Sequence, residues 1–401
     1  MPRNPDKIDY SRGFPQNFEA FAELTDTRGD GHTKHHFGEI IFMAYTCIVC
    51  GVKSYELMEE FCEIRQKWFE KWLSLPNGTP SYNTFSRIME SLDPEIFSRC
   101  IIIHLRLAGV EVEDNQTPID DQVAIDGKAL RGSRTKEDRH IHAVSAWACE
   151  KGITLAQAFV DEKSNEITAI PELLKMLNLQ GAVVTIDAMG TQREIASQIA
   201  DAGADYVLCV KGNQGDLHKE IIDQFDFAAR QLDLGKLSSK NWSFHLEEET
   251  NRGRLEKRQT IVCYNLDWMS QKNRDAWKAL GSIILVQRQV LEKDGNWRTE
   301  IHYYISSLKK VKAKKMQKYI RSHWRIENSC HWVLDTLFRE DHNQTGKRNA
   351  AKNLSTLRRV ALNALKGATD HSKRKRPSSL TKKQLRAAHD ESYLEEILSL
   401  V

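Results

Sequence analysis

Residues 182–192, AVVTIDAMGTQ, decide how this chain is read. Val183 to Ile186 form a nearly continuous apolar run, as expected of a strand buried on both faces. The run ends in an acid, Asp187, followed by Ala188 and Gly190. Thr191 and Glu194 then make a capping box that opens a helix over REIASQIADAG, which Gly203 can terminate. DYVLCV, from Asp205, reads as another buried strand. The unit is strand, acid, helix, strand.

Upstream, VAIDGKALRGS (123–133) repeats the motif: an apolar run ends in Asp126, and Gly127 leaves that carboxylate room to emerge from the strand end. HAVSAWACE and ITLAQAFVD follow as a hairpin divided by Lys151 and Gly152. A helix is then expected through ITAIPELLKML, with Thr168 as its cap and Pro171 in its first turn. Strand, hairpin, helix, strand, helix, strand is an antiparallel meander joined to a parallel βαβ extension. That order resembles the ribonuclease H-like fold, a mixed five-stranded sheet flanked by helices, in the α/β (α+β) class.

The organisation around this sheet predicts five segments. Residues 1–111 read as a small helical domain, from FEAFAELT through PEIFSRCIIIHLRLAG, and 112–213 as the first part of the sheet domain. Residues 214–310 read as a β-rich insertion, with Asp294 and Gly295 at a hairpin turn. Residues 311–366 return as helix, and 367–401 as a basic tail with an acidic helical end.

The third informative acid is Glu327, in HWRIENSCHWVLD. Ile320, Trp324, Glu327, His331, Leu334 and Phe338 recur at helical spacing, so the glutamate is expected on a stripe facing the core. A buried carboxylate requires a cation, a hydrogen-bond network or a metal. Either aspartate alone could cap a turn, and the glutamate alone could pair with Arg325 or Arg339; the joint pattern carries the inference. Hard oxygen ligands without a histidine or cysteine cluster suit two Mg²⁺ or Mn²⁺ ions and phosphodiester chemistry.

Charge supports a polyanionic partner. The chain's net charge is +3, yet residues 345–386 hold 13 Lys or Arg and one acid, so the remainder is −9. Six lysines also fall between Lys309 and Lys318 with no acid among them. The eight cysteines are scattered through apolar runs, and the CxxC of Cys47 and Cys50 lacks a second ligand pair, so packing is expected rather than zinc. No stretch reads as a membrane helix or signal peptide, and a cytoplasmic location is expected.

Several longer stretches carry a closer likeness: PSYNTFSRIMESLD, IDGKALRGS, FVDEKSNEITAIPELL, VVTIDAMGTQ, YVLCVKGNQ, NRGRLEKR, YYISSL and HWRIENSCHWVLDTLFREDHNQ. Together they resemble the DDE transposases of bacterial insertion sequences, in the H-repeat-associated (ISAs-type) group, over nearly the whole chain. The resemblance places the catalytic, metal-binding acids on Asp126, Asp187 and Glu327. The Tyr, Arg and Lys that flank the glutamate in related transposases are replaced by Ile320, His323 and Leu334, leaving Asp335, Glu340 and Asp341 as alternatives for the third acid.

The resemblance implies cleavage of double-stranded DNA at terminal inverted repeats and joining of the 3′ ends to target DNA. It also implies a homodimer or higher oligomer on DNA. A DNA-binding descendant that no longer cuts, and a host-adapted nuclease of the same fold, are the competing readings. Lys128, Arg131, Lys211 and Asn213 are expected on the rim of the site. Arg252, Arg254, Arg258, Arg325, Lys347 and Arg348 are further candidates for DNA contacts, with Trp242 and Trp297 for base stacking.

Overall fold

The structure, a computed structural model, describes residues 26, 28, 34–99, 121–133, 140–160, 166–233, 240–251, 254–371 and 377–399. In chain order its elements are α1 (Phe37–Val49), α2 (Tyr55–Ile64), α3 (Gln66–Phe69), α4 (Tyr82–Ser91), β1 (Gln122–Leu130), β2 (Ile141–Ala148) and β3 (Ile153–Val160). Then come α5 (Glu166–Lys175), β4 (Val183–Ile186), α6 (Arg193–Asp201), β5 (Asp205–Val210), α7 (Gly215–Asp233), β6 (Trp242–Asn251), β7 (Arg254–Cys263) and α8 (Gln271–Ala276). β8 (Ser282–Leu291), β9 (Trp297–Ser306), α9 (Ala313–His323), α10 (Trp332–Thr336), α11 (Ala350–Gly367), α12 (Leu380–His389) and α13 (Glu391–Ser399) complete the chain. The helices expected at FEAFAELT and at the end of PEIFSRCIIIHLRLAG lie outside the described residues, as does the KRKR run.

Two compact units divide these elements. One holds residues 1–117, 127–169 and 327–401; the other holds 118–126 and 170–326. Strand β1 runs through both, changing unit after Asp126.

In the first unit the strand order is β3-β2-β1. β2 and β3 form the expected antiparallel hairpin, turning at Gly152 with φ +72°. α1 is buried along its whole length because FGEIIFMAYTCIV is apolar on every side, and it packs against α4 and α11. The N-terminal helices therefore share a core with the C-terminal helix α11. Within the described part of 367–401, Ser379 caps α12, and Tyr393, Leu394, Ile397 and Leu398 bury one face of α13. Cys47 and Cys62 bring their sulfurs to 3.7 Å inside this core, with Cys50 also buried, so the CxxC is packing.

In the second unit the order is β1-β4-β5-β9-β8-β7-β6. β1, β4 and β5 are parallel, and β9 joins β5 antiparallel and continues into β8, β7 and β6. The strands β6 to β9 thus lengthen the sheet of β1, β4 and β5 through a Val207–Ser306 to Val210–Tyr303 ladder. α9 covers one face, burying Ala313, Met316 and Ile320 against Val183, Val207, Val262, Ile284 and Tyr304. α7 sets Phe225 against Trp242 and Tyr303 on the opposite side. The mixed sheet with flanking helices is the fold class that the sequence predicts.

One helix start differs from expectation. α5 begins at Glu166 rather than after Thr168, which places Pro171 inside the helix and not in its first turn.

Candidate active site

β1 and β4 pair in parallel with Ile125 opposite Ile186, so the next residue on each strand is an aspartate. Asp126 and Asp187 are therefore neighbours on adjacent strands. Residues in parallel register share a face, and this face carries Gln122 and Thr185, which hydrogen-bond each other at 3.2 Å. Asp126 is not at a strand end as the sequence suggested: β1 continues to Leu130, and the carboxylate emerges because β4 stops one residue short of it. Gly127 is also crowded rather than open. A Cβ there would meet the Glu166 carboxylate at 2.4 Å, and Glu166 is itself held by His142 at 3.0 Å.

The Asp187 loop is tightly specified. Asp187 Oδ1 accepts the backbone N–H groups of Met189 and Gly190 at 3.0 and 3.1 Å. Gly190 is required by packing, since a Cβ would lie 2.4 Å from Ile186 and 2.7 Å from Ile170. Thr191 does not cap the next helix, where Gln192 is the N-cap without a side-chain bond. Its buried hydroxyl lies 2.7 Å from the Cys209 carbonyl and 3.0 Å from that of Asp187, tying the loop to the end of β5. Asn213 adds an amide bond to the Ala188 carbonyl at 2.7 Å.

His323, the last residue of α9, places its ring nitrogen 3.0 Å from Thr185 Oγ1, two residues before Asp187. Burial pushes its pKa down to about 4 despite the opposing field of Asp187, so the imidazole is neutral near pH 7. The sequence presented His323 only as a departure from the family's Arg.

Glu327 opens a π-helical turn, Glu327–His331, instead of continuing a regular stripe. Ile326, Cys330 and Leu334 are buried, while Trp324, the C-cap of α9, and Glu327 are exposed. The expectation that Glu327 faces the core is corrected on this ground. Desolvation nevertheless raises its pKa, because protein atoms displace part of its water. Lys366 on α11 supports the turn, donating from Nζ to the Ser329 carbonyl at 2.8 Å and to that of Gly152 at 2.7 Å. The same ammonium lies 4.0 Å from the Trp147 ring centre.

Among the described residues, no three or more His, Cys, Asp and Glu side chains form a group that could hold a metal ion. The two abreast aspartates supply hard oxygen donors of the kind Mg²⁺ or Mn²⁺ takes, and like charges so placed favour a cation between them.

The Transposase DDE domain family matches residues 117–364, and the DDE_Tnp_1-associated family matches residues 18–105. The chain belongs to the DDE transposase family. It is 36% identical over 380 residues to an Escherichia coli O157:H7 protein named "Putative transposase YncI", covering 94% of this chain and 92% of that one. It is 32% identical over 391 residues to "H repeat-associated putative transposase YhhI" of Escherichia coli K12, covering 95% and 97%. A piggyBac transposase in a synaptic complex with hairpin DNA aligns with a TM-score of 0.42 at 10% identity, over 95% of this chain and 76% of that one.

The basic residues of this family member divide sharply. Lys128 is not a rim cation: it is buried, with Nζ 2.6 Å from Asp335, 2.8 Å from Asp341 and 3.5 Å from Glu340. The same contacts engage all three alternatives for the third acid. Desolvation lowers the Lys128 pKa, and the three carboxylates outweigh it to give a net rise. Arg258 is likewise held by Glu256 and by Glu249 at 3.6 Å within the sheet.

Lys211, Asn213, Arg254, Arg325, Lys347 and Arg348 are exposed, as is Arg131, whose Nε lies 3.6 Å from Asp341. Arg254 lies 3.8 Å from Glu292. Arg252 lies outside the described residues. Trp242 is buried against Phe225 and Phe244, whereas Trp297 is 42% exposed beneath the Lys257 ammonium. No helix among the described residues is long and apolar enough to cross a membrane.

Proposed function

We propose that this chain is an active transposase that cuts double-stranded DNA at the terminal inverted repeats of its element and joins the freed 3′ ends to target DNA. The observation that carries the reading is the register of β1 on β4, which sets Asp126 beside Asp187 on one face. Asp126 and Asp187 would hold Mg²⁺ or Mn²⁺. Glu327 is assigned as the third ligand by its family motif, and its raised pKa marks a carboxylate whose charge a cation would stabilise.

Bound divalent ions would supply polarisation of the scissile phosphate and activation of the attacking hydroxyl or water. The chain's own residues do the rest. Gly190, Thr191 and Asn213 fix the loop that orients Asp187, and Lys366 fixes the turn that presents Glu327. Neutral His323 places no positive charge beside Asp187. Lys211, Arg131, Arg254, Arg325, Lys347 and Arg348 are available to phosphates, while Lys128 and Arg258 serve the fold. Trp297 remains the stacking candidate. Joining two element ends calls for at least two subunits on DNA, and the reaction is placed in the cytoplasm, on the nucleoid.

The test is Mg²⁺- or Mn²⁺-dependent cleavage and strand transfer on a duplex bearing the inverted repeats that flank the gene. Wild type should cut and join, and Asp187→Asn and Glu327→Gln should each lose activity by about 10³-fold or more. Specific binding by wild type without cutting would establish a DNA-binding descendant instead. Cleavage without joining would establish a nuclease, and activity surviving Glu327→Gln would remove that residue from the site.

A further inference from the structure

A cleft of 780 Å³ opens beside the corner that follows β9, bordered by the end of β7, by α8 and by the lead into β8. The cations that line it are Lys240, Arg274, Lys309 and Lys310, and the acid among its lining residues is Asp267. Lys240 is engaged within the protein. Arg274 is engaged in part: Nη2 donates to the Gln271 side chain at 2.8 Å, and Nη1 stands 3.9 Å from Asp267, whose side chain is 89% exposed. Its Nε is buried and has no hydrogen-bond partner among the described residues. Lys309 and Lys310 are exposed, and among the described residues no hydrogen bond, ion pair or ring contact engages either ammonium. Close by, exposed lysines are paired: Lys272 with Asp216 at 2.7 Å, and Lys278 with Asp201. Pairing lapses at the cleft, and charge left uncompensated in a concave site draws anions.

The corner that carries the two lysines is fixed in place. Ser282 Oγ donates to the Leu308 carbonyl at 2.9 Å and Tyr264 Oη to that of Val311 at 2.8 Å, so both flanks are pinned. A Cβ at Gly281 would lie 2.8 Å from Lys309 Cγ, so the lysine stem rests on the glycine. Lys310 has φ +56°, a left-handed backbone that glycine adopts at lower cost. Strain of this kind persists where a side chain has a task. The corner's position narrows that task. β9 runs antiparallel to β5, with Ser306 level with Val207 and Tyr303 level with Val210. The chain beyond Ser306 therefore leaves the sheet where β4 and β5 begin, whereas Asp187 lies where β4 finishes. β8 also stands three strands from β4, about 14 Å at about 4.8 Å per strand. Cleft and aspartate open at opposite ends of one sheet.

We propose that this cleft holds the sugar-phosphate backbone of a stretch of DNA other than the one being cut, by charge and without reading its bases. The proposal rests on the reading above that Asp126 and Asp187 act on DNA. A space of 780 Å³ far exceeds one phosphate, and cations on separate stems suit successive phosphates of a chain. Asn241 and Asn265 add amides of the kind that meet phosphate and sugar oxygens. An anion there would also give the Arg274 Nε an acceptor.

The experiment loads the full chain, in an Asp187→Asn background, with an equimolar duplex bearing the inverted repeat. It then titrates a second, fluorescent duplex of scrambled sequence, each binding step being followed over a range of NaCl concentrations. Lys309→Gln/Lys310→Gln should lower the slope of log Kd against log salt for the second duplex by about 1.8, from about 0.9 per contact, and leave the slope for the first unchanged. Lys310→Gly should lower the second slope by about 0.9 while raising the melting temperature, because it relieves the left-handed backbone. Lys278→Gln, which removes a paired lysine nearby, should keep both slopes. An unmoved second slope in the double variant overturns the proposal, as does a parent that takes up no second duplex. A drop confined to the first duplex overturns it too, since the cleft would then hold the DNA being cut. If the parent binds neither duplex, the DNA reading falls as well; if it binds the first alone, only the cleft is lost.

Discussion

Lys128 shows how far a residue's role can depend on partners remote in the chain. In IDGKALRG it looks like a cation at the lip of a site, but its ammonium is surrounded by Asp335, Glu340 and Asp341, more than 200 positions away. Glu340 is 3% exposed and is also met by the fully buried Arg359 at 3.3 Å. Burial alone would raise the Glu340 pKa; Arg359, Lys128 and Arg358 reverse this and hold it low. Lys128→Met should therefore destabilise the fold by about 3–5 kcal/mol, because it strands buried carboxylates. Urea unfolding would show it, and a loss below about 1 kcal/mol would mean that the network reorganises. The strands that set the two aspartates side by side were legible because an apolar run precedes each. Lys128 was not, because nothing local marks a lysine as paired.

At the scale of elements, the informative feature is the π turn at Glu327. Helical spacing read Trp324 and Glu327 as core-facing, and that arithmetic does not carry across the end of α9 at Trp324 and the π turn that follows. Lys366 supplies donors to the Ser329 carbonyl within that turn, yet burial lowers its pKa from 10.5 to about 8. Between these values the unfolded chain binds more protons than the folded one, so this group makes stability rise with pH. Comparing wild type with Lys366→Met from pH 7.5 to 10.5 isolates the effect. Wild type should gain on the order of 1–3 kcal/mol that the variant does not. Parallel unfolding curves for the two proteins would contradict the assignment. Thr191 illustrates the same limit: its TxxE pattern suits a cap, and only the neighbouring β5 carbonyl explains why the hydroxyl goes elsewhere.

At the scale of the whole chain, the order of strands was readable because each carries its own pattern: continuous apolar runs for β4 and β5, and a hairpin at Gly152. What could not be read was attachment. WRTEIHYYISS is visibly a strand, but nothing in it states that it pairs with YVLCV about 100 residues earlier. Nor does local pattern show that α1 shares a core with α11, since the complementary surfaces are both simply apolar. The polar hydroxyls of Ser306 and Ser307 give the pairing its specificity, donating to the Tyr206 carbonyl at 2.7 Å and to Asp205 at 2.6 Å.

That attachment decides what happens if the long excursion between β5 and α9 is removed. β5 is wholly apolar over Tyr206 to Val210, and β9 occupies one of its two hydrogen-bonding sides. A chain shortened by replacing residues 213–311 with a brief linker would present this strand as a bare, sticky margin. It should accumulate in inclusion bodies and scatter light on refolding, where the full chain stays dispersed; a monodisperse product on gel filtration would refute this. The excursion is thus a guard against self-association, and shortened relatives would have to shield the same margin by other means.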